Sequence, residues 1–379
     1  MVLAQLFGTS LWFTPNSVLP QIIEIWNLAS YDIGILTNAV QLGFILGTLT
    51  FVAFGFSDKY DPSKVIFVCC VIGALANLYI IIETVNFQFI ILSRFLVGFS
   101  LAGIYPIGMK LIITWSKYSS STNLAVLVGM LTLGSALPHL VRLFGINFDW
   151  KLTIAVSSIL ACIGGIQILI LGSGPYGQSE NKSLPLLQTI KQLISNKDYT
   201  SSALGYFGHM WELYAFWACV PILLLSTLEN PSAEQIAGFS FLIIGIGGIG
   251  CFCAGFLSQR IGSPSIAATS LFMSALACLL YPLIPNYLAS TKILLLTFWG
   301  FFVISDSPFY SSISAQAAPK EIVGTALVIQ NCIGFSVSMI SILICTYLFP
   351  AIQQKIAWIL LPGPLVALLF FHKLIGKNY

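Results

Sequence analysis

Apolar stretches of roughly 18 to 27 residues follow one another along almost the whole of this 379-residue chain, separated by polar connections that are mostly short. That pattern constrains the fold more than any single motif, because a hydrocarbon core about 30 Å thick takes about 20 apolar helical residues to cross. Strands of a membrane barrel would instead show about ten residues of alternating character. Only 8% of the residues are charged and 57% are hydrophobic, whereas a soluble domain carries about a quarter charged. The chain is expected to be an all-α polytopic membrane protein.

Twelve spans are expected, at roughly 3–27, 31–56, 63–83, 87–114, 122–143, 150–172, 199–226, 234–257, 264–284, 292–315, 323–348 and 356–375. Span one begins almost at Met1, so neither a cleavable signal peptide nor a soluble amino-terminal domain is expected. The longest connection, 173–198, carries Gly174, Pro175, Gly177 and Ser179 ahead of Lys182, Lys191 and Lys197. It reads as a cytoplasmic linker between an amino-terminal bundle, 1–172, and a carboxyl-terminal bundle, 199–379. With both termini in the cytoplasm, ten lysines and arginines fall in inside loops, against Arg142, Lys151, Lys292 and Lys355 outside. That asymmetry sets the orientation, with a bacterial inner membrane as the expected location. It also accounts for the net charge of +3 without a nucleic-acid partner.

The same punctuation occurs twice, about 200 residues apart. Phe7-Gly8 and Pro20 return as Phe207-Gly208 and Pro221, while Gly98 and Pro106 return at the same spacing as Gly300 and Pro308. A polar loop around Asp58 has its counterpart around Gln259. Ordered matches of this kind argue for two similar halves, which in a membrane protein point to a transporter.

Those two loops also carry a family signature. Gly55-Phe56-Ser57-Asp58-Lys59-Tyr60-Asp61 joins spans two and three, and Gly255-Phe256-Leu257-Ser258-Gln259-Arg260-Ile261-Gly262 joins spans eight and nine. Both resemble the cytoplasmic loop motif of the major facilitator superfamily (MFS). In the first copy Asp61 stands where a second glycine is usual; in the second, Gln259 replaces the acid. Arg94-Phe95-Leu96-Val97-Gly98 resembles the superfamily's arginine motif on span four, and Gly129, Gly134 and Pro138 are similar to part of the span-five motif of antiporters. The resemblance implies two pseudo-symmetric six-helix bundles, an alternating-access mechanism, and a solute site lined by spans one, four, seven and ten. It further implies a cytoplasmic latch, for which Asp58 and Arg260 are the candidates.

Eleven of the thirteen acids fall in loops or at helix ends; the two within spans are Glu212 and Asp306. A charge at the centre of a spanning helix costs about 2.5 to 3.5 kcal/mol on insertion scales, so such residues face a cavity or a partner. Arg94 is the one arginine at that depth. His209 and Glu212, three residues apart, share a helix face, so the histidine either relays a proton or orients the carboxylate. Glu212, Asp306 and His209 are the candidates for proton coupling. Arg94, Asn16, Tyr206 and Tyr214 are the candidates for contacting solute, with Asn16 equally able to bond a neighbouring helix. Trp211 and Trp217 are assigned to packing or lipid, and Asn38, Gln41, His139, Gln330 and Asn331 to bonds between helices.

Nine cysteines, all in or at the ends of spans, do not suggest a disulfide framework, and Cys251 and Cys253 point to different faces. No metal or other cofactor is expected, and neither metal ligands nor a nucleophile–base cluster suggests an enzyme. The expected function is secondary active transport of a small polar or anionic solute by a functional monomer in the lipid bilayer, coupled to protons. The alternative is a proton-antiport exporter of amphipathic compounds.

Overall fold

The computed structural model describes residues 1–82, 86–115, 121–174 and 186–376, with the side chains of 57–58, 113–114, 121–122 and 186–188 left aside. Among these residues every regular element is a helix. Hydrocarbon leaves no other choice for a span that is not a barrel, since each backbone N–H must find its carbonyl within the same segment.

In the first half, α1 (Val2–Thr9), α2 (Thr14–Ser17) and α3 (Leu19–Trp26) are pieces of one segment, followed by α4 (Ser30–Ala53), the short α5 (Phe56–Lys59), α6 (Pro62–Leu78), α7 (Phe87–Thr114), α8 (Ser121–Phe144) and α9 (Lys151–Leu171). The linker holds α10 (Leu186–Ser195). In the second half come α11 (Lys197–Thr227), α12 (Ala233–Ile261), α13 (Ser263–Leu280), the broken pair α14 (Ala289–Ser305) and α15 (Ser307–Ala317), α16 (Val323–Ile352), and a second broken pair, α17 (Ile356–Leu360) and α18 (Pro362–Phe371). Polar loop residues start several of these helices: Asp61 caps α6, Asn196 caps α11 and Ser232 forms a capping box with Gln235 on α12.

Ten helical runs among the described residues are long and apolar enough to cross a membrane. They differ from the twelve expected spans at two places, each with a physical cause. The first segment is divided into three short helices around Pro15 and Pro20. The last run, 320–374, has 55 residues and would extend about 80 Å if straight, so it cannot be a single crossing. It turns back after α16 at Gln353, whose φ is +46°.

The repeated glycines are close-packing points. A side chain on Gly98 of α7 would meet the Val40 carbonyl of α4, and one on Gly300 of α14 would meet the Ile243 carbonyl of α12. Gly247 and Gly250 likewise rest against the α14 backbone, as expected for the span-eight glycines. Each half packs mainly on itself, α4 against α7 and α6 against α9 in one, α12 against α14 and α11 against α16 and α18 in the other. The main contacts between the halves are α8 with α12 and α4 with α16. Gly34 abuts Thr346 and the Phe44 ring lies 4.5 Å from that of Phe335, so α4 and α16 run antiparallel. The end of α4 thus lies on the same face as the start of α16, and both chain ends belong to that face: Met1 borders Ile66 near the start of α6, and Phe371 abuts Gly205 near the start of α11.

Candidate functional site

Pro15 has no N–H to give to the carbonyl four residues back, that of Leu11. Arg94, on α7, fills the gap: Nη2 donates to Leu11 O at 2.9 Å and to Trp12 O at 2.8 Å, and Nη1 to Asn77 Oδ1 at 2.9 Å. Asn77 in turn donates to Ser158 Oγ on α9. The guanidinium is buried and its bonds bind the break in the first segment to α6, α7 and α9. The fork expected to meet the solute is here directed at two backbone carbonyls and the Asn77 side chain inside the first half.

In the second half the break is at Asp306. Pro308 frees the Ile304 carbonyl, which accepts from the Cys251 thiol at 3.4 Å, and the chain bends between α14 and α15. Asp306 Oδ1 lies 3.0 Å from His209 Nδ1 on α11, and Oδ2 accepts from Tyr310 Oη at 2.7 Å. Asp306 and His209 are both buried, and His209 Nε2 has no partner among the described residues. His209 therefore pairs with Asp306, on a helix distant in sequence, and not with Glu212 one turn along its own helix.

Glu212 points elsewhere in the bundle. Its Oε1 accepts from Ser274 Oγ at 2.5 Å, Trp299 Nε1 at 2.6 Å and Cys278 Sγ at 3.2 Å, which come from α13 and α14. Three donors from two neighbouring helices make it a cross-link within the second half.

Between the halves lies a narrow cavity. Tyr105 and Met109 of α7 and Val128 and Leu131 of α8 form one side; Tyr206, Met210 and Tyr214 of α11 face them. Ile304, Ser307 and Ser311 flank the Asp306 bend, and Asn331 and Phe335 of α16 complete the wall. On the side away from the chain ends an aromatic stack closes it. The Trp12 ring is 5.1 Å from Phe44, 5.4 Å from Tyr214 and 5.8 Å from Phe335, and Trp217 abuts Phe13 and Tyr214 edge-on. Rings at these separations are in favourable offset or edge contact, so the halves adhere there without polar bonds.

A family model described as Major Facilitator Superfamily matches residues 1–342. The chain belongs to the Major Facilitator Superfamily. No curated protein matches it. Among solved structures, a crystal structure of a point mutant of the nucleoside transporter NupG is similar in fold, with a TM-score of 0.74 and 14% identity, over 99% of this chain and 98% of that one. The chain is thus a superfamily member with the expected all-α transporter architecture, an integral membrane protein whose cargo is a small molecule.

Of the residues singled out in this superfamily member, Tyr206 and Tyr214 line the cavity, and His209 and Asp306 stand directly behind its wall. Asn16 is buried, and among the described residues its Nδ2 has no partner and it is not part of the wall. Arg260 is exposed in the last turn of α12, with its guanidinium 5.6 Å from the centre of the Phe256 ring. The Asp58 side chain lies outside the described residues. Trp217 is buried and packs, while Trp211, half-buried, donates to Ile359 O. Asn38 donates to Met339 O across the α4–α16 interface, as expected, but Asn331 faces the cavity. Cys251 is buried and Cys253 exposed, on different faces. Sequence reasoning misses Tyr105, Met109, Ser307 and Ser311. Tyr105 has one available signal, its place beside Pro106 on a span that the family resemblance makes cavity-lining.

Proposed function

We propose that this protein is a proton-coupled secondary transporter of a small polar solute, working by alternating access, with Asp306 and His209 as the coupling pair. The observation that carries the reading is the 3.0 Å approach of His209 Nδ1 to Asp306 Oδ1 at the bend of α14–α15, between Ile304 and Ser307 of the cavity wall. A carboxylate and an imidazole in contact can hold one extra proton between them, and the imidazole titrates near neutrality when unperturbed. A proton arriving on the pair changes the attraction between Asp306 and His209, which lie 3.0 Å apart, and so changes what holds the bend. Protonation can shift the equilibrium between two orientations only by the difference in its affinity for them. The bend, which carries both the carboxylate and part of the wall, supplies such a difference.

In this reading residues 1–172 and 199–379 rock about the cavity, both termini lie in the cytoplasm of a bacterial inner membrane, and the monomer is the working unit. The loops holding Asp58 and Arg260 latch the chain-end face. Glu212, held by three donors, anchors the second bundle and takes no part in coupling. Tyr206 and Tyr214 offer hydroxyls to the solute. The likeness in fold to the nucleoside transporter NupG is compatible with a small polar cargo.

The test is solute-driven proton flux in proteoliposomes, using a solute found by thermal shift of the purified protein, since a ligand of the folded state raises its midpoint. Asp306→Asn and His209→Gln should abolish the flux, while Glu212→Gln retains it. Unchanged flux in both Asp306→Asn and His209→Gln would sink the pair. The second reading, export of amphipathic compounds, is favoured by Met109, Met210 and Phe335, adaptable apolar groups in the wall. Increased susceptibility of a deletion strain to such compounds would support it.

A further inference from the structure

The cavity wall offers phenol, hydroxyl, amide, thioether and aromatic groups, and among the described residues none that lines it carries a formal charge. The buried arginines and Lys292 are engaged elsewhere, and His139 of α8, buried with neither ring nitrogen partnered among the described residues, is not part of the wall. Arg94 bonds the Leu11 and Trp12 carbonyls. Lys292, at the end of α14 away from the chain ends, donates to Asn286 and Gln354, and Arg142 to the Gly145 and Phe148 carbonyls. Lys110 follows Met109 but is exposed and not part of the wall.

The nearest carboxylate, Asp306, accepts from Tyr310 at Oδ2, while its Oδ1 lies 3.0 Å from His209 Nδ1 with no hydrogen bond among the described residues. The titratable groups around it are His209 and Glu212 from α11, Cys251 from α12 and Tyr310 from α15. It stands behind Ile304 and Ser307 and not in the wall, so a solute in the cavity does not displace its proton. Solute and proton can therefore be bound together, which cotransport requires and strict exchange forbids.

An ion entering this wall would give up its hydration for neutral dipoles, with no counter-ion to offset the loss. A neutral solute with a planar apolar face loses little: its face lies on Tyr and Met side chains, and its polar edge meets Tyr105, Tyr206, Tyr214, Asn331, Ser307 and Ser311. Each phenol or hydroxyl both donates and accepts. We propose that the solute is uncharged at neutral pH, with a planar apolar face edged by hydroxyl or amide groups, and that it crosses with one proton, so that one positive charge moves per solute. The proton comes from water on the loading side, sits on the His209–Asp306 pair, and leaves to water on the other side; the empty carrier returns with the pair one proton poorer. This rests on the proton-coupled reading given above.

The experiment uses matched pairs as probes: nicotinamide against nicotinate, uracil against orotate, benzamide against benzamidine. The neutral member of a pair should raise the thermal midpoint of the purified protein and enter proteoliposomes at least about tenfold faster than its charged partner, a gap of about 1.4 kcal/mol. An inside-negative potassium diffusion potential should accelerate that entry, and Tyr105→Phe should slow it while leaving the midpoint of the unliganded protein in place. A charged member that is preferred, no response to any pair, or entry indifferent to voltage overturns the proposal. The two levels fail differently. Preference for an anion with proton flux still abolished by Asp306→Asn removes the neutral class alone, whereas neutral entry unaffected by Asp306→Asn removes the coupling.

Discussion

Arg94 donates to the carbonyl of Leu11, the one that Pro15 leaves without a backbone donor. The second half solves its own helix break differently: His209 of α11 holds Asp306 at the bend between α14 and α15. In the first half span four therefore secures a break in span one, and in the second span seven secures a break in span ten. The equivalent helices exchange roles, since α7 and α11 run unbroken through Pro106 and Pro221.

Removing the guanidinium should be costly because it leaves Leu11 O, Trp12 O and Asn77 Oδ1 short of a donor in a dry interior. Each buried unsatisfied group costs about 1–3 kcal/mol, so Arg94→Met is expected to lose at least about 2 kcal/mol. Pro15→Ala supplies an N–H that can take the Leu11 carbonyl. The double variant should then lose less than the two single losses added together, by about 1 kcal/mol, in equilibrium unfolding in mixed micelles. Strict additivity would mean that the arginine acts on something other than the break.

Gly98 and Gly300 should tolerate substitution equally badly. Each rests on a backbone carbonyl, Val40 or Ile243, which cannot swing aside as a side chain can. Gly98→Val and Gly300→Val are expected to cost about 1–3 kcal/mol or more through overpacking, read as a fall in unfolding midpoint and in folded yield. Gly238 provides the control, because a methyl there would meet only Leu143 at 3.7 Å. Gly238→Ala should keep or slightly raise the midpoint, since alanine favours the interior of a helix.

The repeat, the apolar runs and the costly buried charges are legible in the sequence because each reflects a rule that acts on single segments. Partnerships are not legible. His209 and Glu212 do lie on adjoining faces of α11, but that helix is covered on nearly every side, so sharing a face does not select a partner. A step of about 60° around the axis is enough to send one side chain to α15 and the other to α13 and α14. The commitment of Arg94 depends on which helix breaks, and a proline permits a break without dictating one: α7, α8 and α11 all pass through prolines intact. Tyr105 and Ser311 carry no charge and so leave no trace in a search by cost. Helix α10 escapes because its short amphipathic run, in a glycine- and lysine-bearing linker, resembles a connection.

Asp61 offers a test outside the membrane. Its carboxylate accepts from the Ser63 hydroxyl at 2.8 Å and amide at 2.9 Å, capping α6, and those bonds hold its pKa below the ordinary aspartate value. A lowered folded pKa means stability that is present above the unfolded value of 3.8 and lost as pH falls through the folded one. Asp61→Ala should therefore cost about 1 kcal/mol at pH 7, the usual worth of a cap, and progressively less below about pH 4. A penalty that stays constant down to about pH 3, past the ordinary aspartate range, would argue against the charge-assisted cap.

Glu212 should behave as an anchor and not as a proton carrier. Its Oε1 gathers donors from Ser274, Cys278 and Trp299, and the Trp299 ring also lies 4.4 Å from that of Phe216 on the helix that bears the glutamate. Glu212→Leu strands all three donors, with the hydroxyl and indole the costly ones at about 1–3 kcal/mol each, and should sharply reduce folded yield. Glu212→Gln keeps one oxygen for the same donors and is expected to lose only about 1–2 kcal/mol in unfolding. Ser274→Ala removes a single donor and should cost less still. The decisive comparison is between stability and transport: a Glu212→Gln protein that folds and still couples solute to protons fits an anchor. One that folds with an unchanged midpoint but no longer couples would return Glu212 to the proton path.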